Sequence, residues 1–262
     1  MIRYFRLYLY FLRFSFSRAM EFRLDFFFRI VMDCMFYVVQ LAFFFILYKH
    51  TRLLGGWNLD QIIIFTSAWL FLDAVNMTLF SNNMWLLPML INKGDLDYYL
   101  VRPVSALFFV SFRDFAANSF VNLVIATGIL AWSVTRYPQS LGAGRVLLFC
   151  VMLAIGSFLF YVIQMAFLIP TFWLHSSSGL WELRFQVEKY AERPDQIYSR
   201  WLRRILLSVL PLAFLISVPT HALFSGLDWK GVLHTAVVVA ASLAFLIGFW
   251  RLGLRSYVSA SS

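Results

Sequence analysis

Residues 146–169 read VLLFCVMLAIGSFLFYVIQMAFLI, 24 positions without a charge. A helix that crosses a bilayer needs about 20 mostly apolar residues. This run is long enough, and charge-free sequence continues from it to Trp181. Outward from it, 115–135, 205–227 and 231–250 are also free of Lys, Arg, Asp and Glu. A buried soluble core accounts for one such stretch but not for several. Spanning barrels show short segments that alternate apolar and polar residues, whereas these runs are continuous. The sequence therefore predicts an all-α, polytopic membrane protein.

Composition agrees. Hydrophobic residues make up 61% of the 262 positions, and mean hydropathy is +0.76. The 30 Phe, 12 Tyr and 9 Trp suit helix packing and interface anchoring, so no cofactor box is read from them. A formal charge of +9 raises nucleic acid as a partner for a soluble chain. In a membrane chain, anionic lipid and positive-inside topology explain it, and no nucleic acid is expected. Cys34 and Cys150 sit in apolar runs and give neither a disulfide framework nor metal-site spacing. Arg3, Arg6, Arg13, Arg18 and Arg23 interrupt the first 25 residues, which speaks against a cleavable signal peptide.

The chain reads as one transmembrane domain over 1–262, with six helices at about 29–48, 60–80, 107–132, 145–169, 201–220 and 231–251. Residues 1–28 suit an interfacial amphipathic helix whose Arg6, Arg13, Arg18 and Arg23 snorkel toward headgroups. A topogenic basic tail is the plainer reading. Residues 171–200 mix aromatics with charges, and Leu180, Leu183, Val187 and Tyr190 recur at helical spacing. That pattern predicts a cytoplasmic surface helix broken near Pro194. With the amino terminus inside, 17 Lys and Arg fall on or near the cytoplasmic side and five on the other. The positive-inside rule then puts both termini in the cytoplasm.

The motifs of covalent chemistry are missing. The sequence has no GxxxxGK[ST] phosphate loop, no HExxH and no GxSxG. His50, His175, His221 and His234 are scattered without ligand spacing. No catalytic residue, metal or cofactor bound by this chain is expected. Polar residues inside the spans are the candidates for a path: Asp33, Gln40, Asp73, Asn76, Asn118 and Asn122. Asn118 and Asn122 share a helix face. Structural pairing between helices explains the same residues as well as contact with cargo does.

Residues 92–104, NKGDLDYYLVRPV, lie between two spans. Gly94 permits a turn, Asp95 suits the cap of a short helix, and Pro103 holds Arg102 extended. A short helix on the cytoplasmic face is a handle for a soluble partner; a tight re-entry turn is the alternative. Gly94, Asp95, Leu96, Asp97, Leu100, Arg102 and Pro103 come first, then Phe172 and Trp173. Pro194, Pro211, Pro219, Leu223 and Gly226 follow. In this order and spacing they resemble the permease subunits of type-2 ABC exporters. The resemblance is to the bacterial branch with six spans and no fused ATPase, and it covers nearly the whole chain.

The resemblance implies a second permease, identical or homologous, and two separate ABC ATPase subunits that hold ATP and Mg. Residues 81–104 would couple to those subunits through the seven positions from Gly94 to Pro103. Residues 1–28 would be the interfacial elbow. The setting would be the bacterial inner membrane and its lipids, and the cargo a small or lipid-like molecule for export. Many relatives carry a sizeable extracellular re-entrant portion between spans five and six. Here only about 220–230 is free for it, unless Pro211 and Pro219 break the fifth helix. A membrane scaffold or assembly factor, and an intramembrane enzyme acting on lipids, are the rival readings.

Overall fold

The computed structural model describes residues 2–19 and 23–257. The first helix, α1 (Ile2–Ala19), precedes α2 (Arg23–Leu47), and a loop over 48–58 follows. Gly55 and Gly56 turn that loop at φ 58 and 86, backbone that side chains with a Cβ disfavour. Asn58 then starts α3 (Leu59–Asn76) with a reciprocal capping box. Its side chain accepts from the Gln61 N–H, and the Gln61 side chain accepts from its own N–H.

A π turn at Met77–Ser81 carries α3 into α4 (Asn82–Lys93) without an end. The helix from 59 to 93 is therefore 35 residues, about 52 Å. That exceeds a hydrocarbon core of about 30 Å. The expected loop over 81–104 is thus helical as far as Lys93, and only 94–104 leaves the helix axis.

The expected helix over 107–132 is two helices, α6 (Ala106–Phe112) and α7 (Ala117–Thr135), after the short α5 (Asp97–Leu100). The break at 113–116 would leave backbone groups unpaired at membrane depth, which is costly. Neighbours supply the partners. Asn83 donates to the Asp114 carbonyl at 2.7 Å and accepts from the Asp114 N–H at 2.9 Å. The Ala116 N–H reaches the Thr78 carbonyl in the π turn at 3.0 Å, and the Phe115 N–H reaches Ser15 Oγ on α1 at 3.1 Å. The π turn between α3 and α4 thus receives the break between α6 and α7.

After a loop at 136–142, α8 (Ala143–Leu168) leads into α9 (Thr171–Leu174), and later α13 (Trp229–Ser256) closes the bundle. Among the described residues, four helices are long and apolar enough to cross a membrane: Phe26–Leu47, Leu59–Lys93, Ala143–Leu174 and Trp229–Ser256. Part of α7, Ser119–Thr135, is a shorter apolar helix. The bundle has two ends. One holds 94–104 and Tyr257, whose hydroxyl donates to the Gly94 carbonyl at 2.7 Å. The other holds the 48–58 and 136–142 loops, where Gln61 reaches Tyr137 Oη at 3.4 Å.

The region between α9 and α13 departs most from expectation. Residues 171–200 do not lie on one face. The helix α10 (Ser178–Glu188) begins with Trp181 stacked on Trp85 at 4.1 Å, near the Gly94 end. The turn Asp195–Ile197 lies against Gly55 at the Trp57 end: a Cβ on Gly55 would meet the Ile197 side chain at 3.1 Å. The stretch 178–194 therefore runs from one end of the bundle to the other. Its charges made it look like surface, but Arg184 and Glu188 are only 7% and 9% exposed and pair across one helical turn.

The expected span over 201–220 is not one helix either. It comprises α11 (Arg200–Leu206), a 3-10 turn (Leu212–Phe214) and α12 (Ser217–Ser225). Pro211 lacks an N–H and disfavours helix at Leu210, so the chain turns there. The turn seats on the middle of α8, where a Cβ on Gly156 would lie 2.6 Å from the Leu215 carbonyl. Both arms return to the Trp57 end. Arg203 on α11 bonds Asp195, and on α12 the Trp57 ring packs on His221 and the Phe224 carbonyl accepts from Arg145. Residues 198–226 form a hairpin that leaves and returns to the Trp57 end, and 178–194 is the limb before it.

Candidate functional site

The loop at the Gly94 end is a braced projection. Gly94 adopts φ 80 and closes α4, with its N–H on the Ile91 carbonyl at 3.3 Å. Leu96 is fully buried and anchors the turn. Asp95 does not cap α5: Leu96 occupies the N-cap position, and only the Asp95 carbonyl receives a bond, from the Tyr98 N–H. Tyr99 points inward onto Phe109 and, through its hydroxyl, meets Arg113. Arg102 folds back, donating to the Tyr98 carbonyl at 3.1 Å with its guanidinium 4.7 Å over the Phe109 ring. After Pro103, Ser105 caps α6 by accepting from the Phe108 N–H. Facing outward are Tyr98 and Val101, 68% and 81% exposed, with Leu100 beside them. Burial and the nearby Asp97 carboxylate push the Tyr257 phenol above its ordinary pKa, so it stays a donor to Gly94.

The intramembrane polar residues fall into two groups. Asp33 on α2 accepts from Asn122 on α7, tying these two helices together. Asp73 on α3 is half-buried among the charges of Asp33, Glu192 and Arg184. Arg184 Nη1 lies 3.5 Å from Glu188 Oε1, and its guanidinium stands 4.5 Å over both the Trp181 and Phe185 rings. Asn76 is buried, and its amide nitrogen has no hydrogen-bond partner among the described residues. Gln40 is half-buried on α2 without a bond to either group among the described residues. The side chains of Asn118, Arg6, Arg18 and Arg23 lie outside the described residues. Arg13 is exposed on α1.

Sequence reasoning missed Arg184 and Glu188 as bundle residues. Their signal was present: a cation and a carboxylate four apart among Trp181, Phe185 and Val187. It also missed the network at the Trp57 end. Asp195, 3% exposed, takes Arg203 Nε at 2.6 Å, and His221 Nε2 stands 3.7 Å away. Gln196 bonds His221 at 2.8 Å, and Trp57 packs on the imidazole at 4.9 Å. Burial raises the Asp195 pKa, but His221 and Arg203 outweigh it and hold the carboxyl below its ordinary value. A carboxyl depressed in the folded state binds fewer protons there than when unfolded. Its stabilisation is full above the ordinary carboxylate pKa and is lost as pH falls through and below it. Thermal unfolding in detergent from about pH 6 to about pH 3 should show an acid-side loss that Asp195→Asn flattens.

The helices form a polytopic bundle with an amphipathic first helix, a short braced helix at one end and a hairpin whose arms lie at the other. The profile of the ABC-2 family transporter proteins matches residues 34–261. The chain belongs to the ABC-2 transporter family. It is a membrane-embedded, permease-like protein and a non-catalytic component of its family's transporters. Among the described residues no group of three or more His, Cys, Asp or Glu could hold a metal ion. No curated protein and no solved structure matches the chain.

Proposed function

We propose that this ABC-2 family member is the permease subunit of an ATP-driven exporter, working as a homo- or heterodimer above two separate ATPase subunits. The observation that carries the reading is the loop at 94–104. A short helix held from behind by Leu96, Tyr99 and Tyr257 presents Tyr98, Leu100 and Val101 outward. Such a helix transmits a push from a soluble partner into α4 and α6 because its brace leaves it little freedom to deform. Gly94, Asp95, Asp97, Arg102 and Pro103 shape the same turn. ATP and Mg would bind in the partner.

The reading uses six crossings in one domain: α2, α3 with α4, α6 with α7, α8, the limb 178–194, and α13. The loop at 94–104 and both termini would face the cytoplasm of a bacterial cell, with α1 on the inner membrane surface. The charge tally no longer decides this orientation. The limb carries Lys189 and Arg193, and α11 carries Arg200, Arg203 and Arg204, toward the Trp57 end, which removes most of the asymmetry. The arginines of α1 and the partner-facing loop argue for it instead. Asp33, Gln40, Asp73, Asn76, Asn118 and Asn122 would border the path, with a small or lipid-like cargo passing between protomers.

Co-expression with the genes that neighbour its own should yield a stoichiometric complex with an ATPase subunit in mild detergent. Val101→Asp should reduce ATPase recovery about tenfold or more, because a buried unpaired charge at an interface costs several kcal/mol. Recovery of the wild-type permease alone, under conditions that hold other ABC complexes together, would reject the reading.

A further inference from the structure

A cavity of about 660 Å³ lies between α1 and the 94–104 loop, and the transport reading leaves it unused. Its walls are aromatic, with Tyr10 and Phe11 from α1 facing Tyr98, Tyr99 and Phe109. Tyr10 and Tyr98 are both well exposed, so the cavity opens to the outside beside the amphipathic α1; with α1 on the membrane surface, as proposed above, that opening would lie at the depth of lipid headgroups. Arg102 and Arg113 also line it.

Those two guanidiniums rest on rings and not on carboxylates. Arg102 stands 4.7 Å from the Phe109 centroid and Arg113 5.5 Å from that of Tyr99. Among the described residues neither forms an ion pair. Among those residues each makes one hydrogen bond, Arg102 to the Tyr98 carbonyl and Arg113 to the Tyr99 hydroxyl. A guanidinium carries five N–H donors, so each keeps capacity for an oxyanion.

The opposite sign is present too. Asp95 lines the same cavity, is half-buried, and its carboxylate has no hydrogen bond among the described residues. Asp114 borders the cavity and is buried. A purely anionic guest would satisfy the arginines but leave Asp95 facing negative charge. A guest with a phosphate and an ammonium a few bonds apart satisfies both, and the aromatic wall favours its cationic end.

We propose that this cavity binds the headgroup of a zwitterionic aminophospholipid, with its phosphate on Arg102 and Arg113 and its ammonium on Asp95. The bound lipid would fasten α1 to the 94–104 loop, so the elbow and the partner-facing turn would move together. The proposal stands whether or not an ATPase docks on the outer side of that loop.

The test is native mass spectrometry of the full chain, equilibrated with equal amounts of dioleoyl phosphatidylethanolamine and dioleoyl phosphatidylglycerol. One phosphatidylethanolamine should be retained with a preference of about tenfold, or 1.4 kcal/mol. Asp95→Asn should bring the ratio toward parity, and Arg102→Gln should reduce retention of both lipids. Should Arg102→Gln fail to fold, the Asp95→Asn ratio decides alone. Equal or greater retention of phosphatidylglycerol by the wild-type chain would overturn the proposal. So would displacement of the lipid by inorganic phosphate, which would make the site one for a free anion. A ratio unmoved by Asp95→Asn would overturn it as well.

Discussion

A Gly156→Leu variant is expected not to assemble the native bundle, and Gly156→Ala to lose about 1–3 kcal/mol. A Cβ at this position would stand 2.6 Å from the Leu215 carbonyl, 3.1 Å from that of Phe214 and 3.2 Å from the Leu215 Cα. These are backbone atoms of a tight turn and cannot rotate away as a side-chain tip would. The turn is itself well buried, with Phe214, Leu215 and Ile216 all at or below 1% exposure. Relieving the clash means lifting the hairpin apex off α8. The control is Gly128→Ala, where nothing lies within 4 Å of the added Cβ. Helix propensity alone should make that variant neutral or up to about 1 kcal/mol more stable. Thermal unfolding of the three variants in one detergent reads the difference. Equal stability of Gly156→Ala and Gly128→Ala would mean that the apex does not rest on α8.

The second large effect is at Arg184. Its guanidinium pairs with Glu188 and is also the cation near Asp73. Arg184→Met keeps the apolar contact with Trp181 and Phe185 but strands Glu188, which is buried. Removing one partner of a buried pair typically costs about 3–5 kcal/mol, whereas replacing both by apolar groups is often neutral. The double variant Arg184→Met with Glu188→Leu should therefore recover most of the loss, measured again by thermal unfolding. On a solvated surface helix the pair would contribute about 0–1 kcal/mol, and the single variant would be nearly silent. The size of the single effect thus distinguishes a limb inside the bundle from a helix on its surface.

How much was legible varied by element for physical reasons. The helices α2, α8 and α13 each contain an apolar run long enough to reveal them, even with Asp33 inside that of α2. The turn at Gly94 was legible because a positive φ calls for glycine, and the shape of 94–104 followed from it. The Asp95 cap did not form because Leu96 took that position. The limb 178–194 was hidden because Arg184 and Glu188 neutralise each other within the bundle. Hydropathy counts each as a cost and cannot see their pairing. The break at 113–116 was invisible for a related reason: its partners Ser15, Thr78 and Asn83 are distant in sequence. For the hairpin the clue was Pro211, which allowed re-entry without requiring it. Among the path candidates, Asp33 and Asn122 do meet, as helix pairing by two polar side chains in lipid would have it. Gln40 and Asn76 found no partner that sequence spacing could have named.

If the limb 178–194 crosses the membrane, as proposed, the 94–104 loop and the hairpin lie on opposite sides. Labelling with a membrane-impermeant maleimide tests it, using Ser199→Cys and Val101→Cys variants in a background with Cys34 and Cys150 replaced. Both positions are exposed. In intact cells the Ser199→Cys variant should label, and the Val101→Cys variant only after permeabilisation. Labelling of both only after permeabilisation would return 171–200 to the same face as the loop and contradict the account.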